Sequence, residues 1–404
     1  MTMLSIWEKE SFFAPADIVI AGSGLVGLWS AYYLKRSAPS LSITIVERGT
    51  IPTGASTRNA GFACFGSLTE LVSNAQEMGE DAMLELVEMR CRGIRRIEKT
   101  FSHKKIGFQR NGGYELITGQ GSLSTSSTPT SSASPGSSLI TGTTDLNELR
   151  SRIDWLNRRL KKIVGEQKTF RLQNEKIDSF GFAGIQHLVE NRAEGQLHSG
   201  RLCQALLALV QSMGVTVLNN IEIKGFEKMN GHLVLHTDQP FGLRASQLLV
   251  CTNAFARQLL PQLDVVPARG QVLVTSALER VPFKGTFHFH EGFYYFRDLG
   301  DRVLLGGARN IAMEEEVSEE MSITNTIQEE LERFLRDTVL PGHHYTIEHR
   351  WSGIMGMGAE KMPILRPIND QVFCAVRMSG MGVALAPVMG EKIAAMMTGG
   401  PATT

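Results

Sequence analysis

Two stretches at opposite ends of this chain each run an apolar strand into a glycine turn that opens a helix. Near the start, Asp17-Ile18-Val19-Ile20-Ala21 leads into Gly22-Ser23-Gly24-Leu25-Val26-Gly27. Near the end, Val372-Phe373-Cys374-Ala375-Val376 leads into Gly380-Met381-Gly382. Strand–turn–helix units build an α/β sheet, and one at each end suggests a chain that returns to the same site from another side. Taken alone, the second unit also reads as a buried strand–turn–helix that closes the sheet.

The first turn matches what a dinucleotide requires. A helix N-terminus carries unsatisfied N–H groups and partial positive charge, which suit a pyrophosphate. Gly22 permits the tight turn, Gly24 lets phosphate approach the backbone, and Gly27 lets helix and strand pack closely. A second strand, Ser42-Ile43-Thr44-Ile45-Val46, is closed by Glu47. A carboxylate about 20 residues past the glycines accepts hydrogen bonds from an adenosine ribose, and it would repel the extra phosphate of NADP.

Two further stretches point to a flavin. Gly54-Ala55-Ser56-Thr57-Arg58-Asn59-Ala60-Gly61 follows the acid closely. Its small and hydroxylated residues leave backbone N–H groups free for phosphate or ring, although a polar surface loop has the same composition. The apolar run Gly380-Met381-Gly382-Val383-Ala384-Leu385-Ala386-Pro387 turns tightly into a helix. A helix N-terminus there suits negative charge on a reduced isoalloxazine.

With these blocks the sequence resembles the FAD-dependent oxidoreductases of the D-amino-acid oxidase superfamily, which include the glycine oxidase, sarcosine oxidase and gamma-glutamylputrescine oxidase types. The resemblance rests on Ile18 to Ala31; Ile45-Val46-Glu47-Arg48 with Gly54 to Gly61; Val250-Cys251-Thr252-Asn253-Ala254; Pro267-Ala268-Arg269-Gly270-Gln271; and Arg350-Trp351-Ser352-Gly353 through Pro387. It implies an α/β chain, α+β overall, with a Rossmann-like FAD-binding domain and an interleaved, mainly antiparallel β-sheet substrate domain. FAD would lie extended, with adenosine at Gly22 to Gly27 and Glu47, and with Arg48, Thr252 and Asn253 close by. Gly54 to Gly61 and Gly380 to Leu385 would line the flavin. The implied reaction oxidises the C–N bond of a small amine or amino acid to an imine by hydride transfer to flavin N5. Such chemistry needs no dedicated side-chain base, and the sequence shows no catalytic triad or metal set.

Three departures from the family pattern bear on the substrate. Glycine-oxidase-type members carry a carboxylate-gripping arginine just after the tryptophan block, where this chain has Met355. Methionine cannot bind a carboxylate bidentately. Either Arg309 or Arg269 takes that role, or the substrate lacks an α-carboxylate. The sarcosine-oxidase type tethers its flavin through a cysteine where this chain has Gly353, so FAD is expected to be non-covalent. That type also has an oxygen-promoting lysine whose counterpart falls near Leu304, leaving Lys361 as the substitute if it points inward.

At 404 residues with a formal net charge of zero, the chain exceeds one typical domain and carries no bias toward nucleic acid or anionic membrane. Its five cysteines are scattered without metal or redox spacing, which fits a reducing compartment. Glu8, Lys9 and Glu10 interrupt any signal-peptide core, and no apolar run reaches the ~20 residues of a membrane span. A cytoplasmic chain is expected.

Along the chain, helices are expected at Asp81 to Lys99 and Ser199 to Met213, and a strand at Gly113 to Ile117. Gly121 to Ser138, almost wholly Ser, Thr, Pro and Gly, reads as a mobile loop. Asp145 to Val164 reads as an amphipathic helix, capped by Asp145 with Glu148. Leu146, Leu149, Ile153, Leu156, Leu160 and Ile163 form its seam, packed on its own domain or serving a homodimer. Gln271–Thr275, Phe287–His290, Phe293–Arg297 and Val303–Gly306 read as a β-meander. These patterns divide the chain into a discontinuous FAD-binding domain (15–100, 176–265 and 345–404) and a substrate domain (101–175 and 266–344). The meander supplies the candidate roof: His288, His290, Tyr294, Tyr295, Arg297 and Arg309, with His288 and His290 on one face by alternation. Tyr295 and Arg309 are the preferred substrate contacts, with His290 and Met355 as further candidates. A 2-hydroxy-acid or polyol dehydrogenase, and a flavin-binding interaction protein docking through the Asp145 helix, remain as alternatives.

Overall fold

The computed structural model describes residues 4–119 and 145–400, so the expected loop at Gly121 to Ser138 lies outside the described residues. The helices in chain order are α1 (Ile6–Glu10), α2 (Leu25–Ser37), α3 (Ala55–Arg58), α4 (Leu68–Met78), α5 (Glu80–Thr100), α6 (His103–Ile106), α7 (Leu146–Val164), α8 (Lys176–Phe180), α9 (Ser199–Ser212), α10 (Asn325–Phe334) and α11 (Gly382–Thr398). Among the described residues no helix is long and apolar enough to cross a membrane.

The first sheet runs β17 (Ile364–Pro367), β18 (Val372–Val376), β11 (Leu243–Val250), β1 (Ala16–Ala21), β2 (Ile43–Glu47) and β8 (Thr216–Asn219). The hairpin β9 (Ile223–Met229) and β10 (His232–Thr237) attaches to β11. From β18 to β8 the strands are parallel. Buried on both faces, β18 and β1 read as apolar runs rather than alternating ones. Register explains why both glycine turns reach one place. Ala21 pairs with Val250 and Val250 with Cys374, so the turns leave the same edge of the sheet with only β11 between them. Behind the sheet α11 crosses α2 closely. A Cβ on Gly390 would sit 2.6 Å from the Trp29 carbonyl carbon and 2.7 Å from Ser30 N, so only glycine allows that approach.

The second sheet runs β16 (Ile347–Met357), β12 (Val266–Thr275), β15 (Arg302–Gly307), β14 (Tyr294–Leu299), β13 (Thr286–Phe289), β4 (Gly113–Ile117), β6 (His187–Asn191) and β5 (Phe170–Leu172). Only the β13–β4 pair is parallel. A further pair joins β3 (Phe62–Ala63) to β7 (Gly195–Gln196). The four expected strands form, but β12 lies between β15 and β16 rather than beside β13. Spacing along the chain does not encode which strands pair. For the same reason β6 and β16, which the sequence division placed with the FAD-binding part, lie in this sheet.

Alternation separates the two faces of this sheet. Leu273, Phe287, Phe289, Phe296 and Leu305 meet a core closed by Ile327, Leu331 and Phe334 of α10. Val272, Val274, Leu304 and Tyr295 face Ala60 and Phe62 on the other side.

Helix α7 starts one residue after Asp145, whose side chain accepts from Asn147 N. Glu148 does not complete a capping box; it pairs with Arg152 one turn along. Leu149, Ile153, Leu156 and Leu160 are buried in the same core as residues of α4 and α5. The Asn157 side chain binds both backbone groups of Phe170, at 2.9 and 2.8 Å. These four seam residues are thus covered within this chain.

Candidate active site

Where the turns meet, a cavity of about 610 Å³ runs from Gly22 and Glu47 to Tyr295 and Arg309. At its near end Gly22 has φ +101, and a Cβ on Gly27 would lie 2.0 Å from Gly22 O, inside the atom. That contact draws the start of α2 against the end of β1. Ser23 is fully buried, and its N–H and hydroxyl donate to Glu47 Oε2 at 3.0 and 2.8 Å. Glu47 Oε1 accepts from Gly49 N at 2.9 Å. The carboxylate is therefore fixed at the cavity wall in one orientation. Ser56 Oγ accepts from Leu25 N at 2.9 Å and brings the second loop against the first.

Of the residues assigned to the cofactor, most line the cavity, including Arg48, Gly54, Ala55, Arg58, Asn59, Ala60, Thr252 and Asn253. Ser23, Gly27, Thr57, Gly61 and Leu385 do not; they stand behind the wall and hold it. A Cβ on Gly61 would strike Leu197 O at 2.3 Å, and Leu385 is buried in the helical core. Arg48 stacks on Phe255 with its guanidinium carbon 3.7 Å from the ring centroid. Asn253 Oδ1 accepts from Arg377 N and Met378 N at 3.0 and 3.2 Å, tying the end of β11 to the end of β18.

These residues fit a flavin dinucleotide. Helices α2 and α11 both open on the cavity with no acidic residue in the first turn and no side-chain cap, so positive potential faces an anionic ligand. Thr252 Oγ1 and Ser379 Oγ are buried polar atoms without partners among the described residues. Such atoms mark a place where a ligand completes the hydrogen bonding.

The far end is framed by Phe62, Phe293, Tyr295, Met355 and Arg309, with His288 and the Glu70–Arg90 pair behind them. Tyr295 stands edge-on to Phe62 at 5.9 Å, and burial pushes its phenol up to about 12. Arg309 opens a short 3-10 turn, Arg309–Ile311. Its guanidinium has no hydrogen bond or ion pair among the described residues, and burial lowers its pKa.

The alternative arginine is occupied. Arg269 binds Glu316 at 2.8 and 3.1 Å and Ser322 Oγ at 2.7 Å, away from the cavity. His290 is a correction: β13 ends at Phe289, and His290 takes φ +53 in the following turn, where it is exposed and off the cavity. The turn breaks the alternation that had paired it with His288. Leu304 sits in an apolar cluster with Ala60, Val272 and Val274. Lys361 reaches the cavity wall, where its ammonium binds Asn74 Oδ1 at 2.6 Å and Glu77 at 2.8 Å.

A family model for FAD dependent oxidoreductases matches residues 17–396. The chain belongs to that family. FAD is therefore the cofactor of this oxidoreductase.

Among curated proteins, the oxidoreductase is similar to a bifunctional protein ThiO/ThiG of Trichormus variabilis. The two are 24% identical over 391 residues, covering 94% of this chain and 52% of the relative. A Synechocystis protein of the same name is 24% identical over 259 residues. The chain spans about half the length of the first of these relatives. Among solved structures, it shares its fold with iminodiacetate oxidase from Chelativorans sp. BNC1 (TM-score 0.72, 19% identity, 96% of each chain). Glycine oxidase from Geobacillus kaustophilus superposes equally well (TM-score 0.72, 17% identity, 96% of this chain and 95% of that one).

Sequence reasoning missed Phe62, Cys64, Glu70 and Arg90 as wall residues. Strand β3 is two residues long, and Arg90 lies mid-helix in α5. Neither leaves a local pattern; only the docking of α4 and α5 beside the second sheet brings them together.

Proposed function

We propose that this oxidoreductase oxidises the C–N bond of a small amino acid to an imine, with Arg309 holding the substrate carboxylate. The observation that carries this reading is Arg309 itself, a guanidinium on the cavity wall with no hydrogen-bond or ion-pair partner among the described residues, while Arg269 is paired to Glu316. Arg309 is half-buried, and an unpaired cation withdrawn in part from water is costly unless a ligand supplies the counter-charge. A guanidinium presents two parallel N–H groups to a carboxylate, which Met355 cannot do. Tyr295, Phe62, Phe293 and Met355 close the site around a small apolar side chain. FAD, when bound, supplies the two-electron acceptor. The protein contributes placement, water exclusion and charge.

FAD is held without a covalent bond in this reading. Cys64 and Cys251 line the cavity, but burial raises both thiols, and the thiolate is the nucleophile a tether would need. Gly353 packs against Arg58, with a Cβ placed there only 3.0 Å from Arg58 Cβ. The two structural relatives named above are by their names oxidases of glycine and of iminodiacetate, both amino-acid-like compounds, which agrees with this reading.

The test is anaerobic mixing of the FAD-loaded enzyme with glycine, L-proline, iminodiacetate, simple amines and 2-hydroxy acids. Bleaching of the flavin by amino acids, lost in Arg309→Met, is the expected result. Bleaching by hydroxy acids alone overturns the reading in favour of C–O oxidation.

A further inference from the structure

Behind the Phe62 side of the cavity lies a buried group of ionisable side chains that the chemistry above leaves unassigned. His288 of β13 lines the cavity and is 7% exposed. Its ring stands edge-on to Phe62 at 5.2 Å. Nδ1 lies toward Gly292 of the cavity wall, 3.7 Å from where a Cβ on that glycine would sit. Nε2 lies toward Glu194, 3.9 Å from Oε2, and has no hydrogen-bond partner among the described residues. Glu194 is 1% exposed. Its Oε1 accepts from Phe65 N and Gly66 N at 2.8 and 3.1 Å, which locks the carboxyl and leaves Oε2 toward the histidine.

The groups packed around this pair are already partnered or neutral. Glu70 binds Arg90 at 2.9 Å. Glu115, the cross-strand neighbour of His288, is held by Ser67 and Thr69. Tyr295, its other neighbour, and Cys64 are kept protonated by burial. Among the described residues, Arg90 Nε and His288 Nε2 are the atoms of this group left without a hydrogen bond, and of the two residues the histidine is the one that faces Glu194, with its other side on the cavity.

We propose that His288 and Glu194 together accept the proton that a substrate ammonium group must lose before its C–N bond is oxidised. This rests on the amine reading of the preceding section. An ammonium nitrogen has no lone pair from which to form an imine. Its N–H proton passes to Nδ1 of the neutral imidazole while the Nε2–H proton passes to the Glu194 carboxylate. At the substrate one N–H bond breaks and one forms at Nδ1; the Nε2–H bond breaks and an O–H bond forms at Oε2. The ring ends neutral as its other tautomer, and an ammonium and a carboxylate become an amine and a carboxylic acid. Removing both charges from a site of low dielectric is favourable. Burial lowers His288 to about 4, so imidazolium is not a resting state, and it raises Glu194 to about 8, nearer to an amine in proton affinity. The gap from Nε2 to Oε2 closes by about 1 Å to reach hydrogen-bond length.

The experiment follows anaerobic flavin bleaching of the FAD-loaded wild type, Glu194→Gln and His288→Gln, using whichever of glycine, L-proline or iminodiacetate reduces the wild type, across roughly pH 6 to 10. In the wild type the rate at low substrate rises through an ionisation near 8. In both variants it falls about 100-fold near neutrality and recovers where the amine is itself neutral. A brace for Phe65 and Gly66 would not produce recovery confined to high pH. FAD content and melting temperature verify the fold, and His288→Gln leaves the Glu194 brace untouched. Unchanged profiles, or equal loss at every pH, overturn the relay alone. A wild type bleached by no amine or amino acid overturns the amine reading, and the relay with it.

Discussion

Replacing Gly27 with alanine puts a methyl group where the turn and helix already touch. The added Cβ would lie 2.0 Å from Gly22 O, 3.2 Å from Gly22 C and 3.4 Å from Ile20 Cγ2. Ordinary contact needs about 3.5 Å, so turn and helix must separate by about 1.5 Å. Backbone lies on both sides, and no rotamer change relieves the overlap. Overpacking of this kind costs about 1–3 kcal/mol. If this turn meets the FAD pyrophosphate, as proposed, the strain falls on the cofactor site and binding weakens about 5- to 150-fold at ~1.4 kcal/mol per factor of ten. Equilibrium titration of apoenzyme with FAD, read by flavin fluorescence, measures it. Gly225→Ala is the control, because nothing lies within 4 Å of that Cβ position. If Gly27→Ala binds FAD as tightly as the control, the close-approach argument for this turn is wrong.

Arg309→Met should raise KM for carboxylate-bearing substrates by about 10- to 100-fold, the worth of a charge-assisted hydrogen bond, while amines lacking a carboxylate change little; steady-state kinetics on matched pairs decides it. Arg269→Met strands the buried Glu316 carboxylate and should destabilise the protein by about 3–5 kcal/mol without selective loss of substrate affinity, as seen in denaturant titrations. Burial raises Glu115 to about 7 and Glu194 to about 8 from 4.5, so the folded state holds protons that the unfolded chain releases. That contribution is fully present below the unfolded value and is lost as pH rises through 7 to 8; the urea midpoint should fall over that window, and less so in the double variant Glu115→Gln, Glu194→Gln. Acid precipitation should release all the yellow colour into the supernatant; colour retained in the pellet would mean a covalent flavin.

The local patterns of the chain determined a good deal. The spacing of Gly22, Gly24 and Gly27 after β1, with Glu47 closing β2, specified a tight strand–turn–helix unit of the kind a nucleotide requires, because strand twist, helix dipole and close packing act over a few residues. The periods of α5, α7 and α9 were legible for the same reason. Tyr295 was readable as a site candidate because it stands in a strand of the expected meander, and Arg309 because it follows closely on that meander, just past β15. Tertiary structure alone decided the rest. It placed β12 beside β15 and β16, turned His290 out of the site through a left-handed turn, and committed Arg269 to Glu316. It also brought Glu194 against His288 from a distant part of the chain. Each of these depends on pairing between segments far apart in sequence, where register and burial set the contact and no local periodicity records the partner.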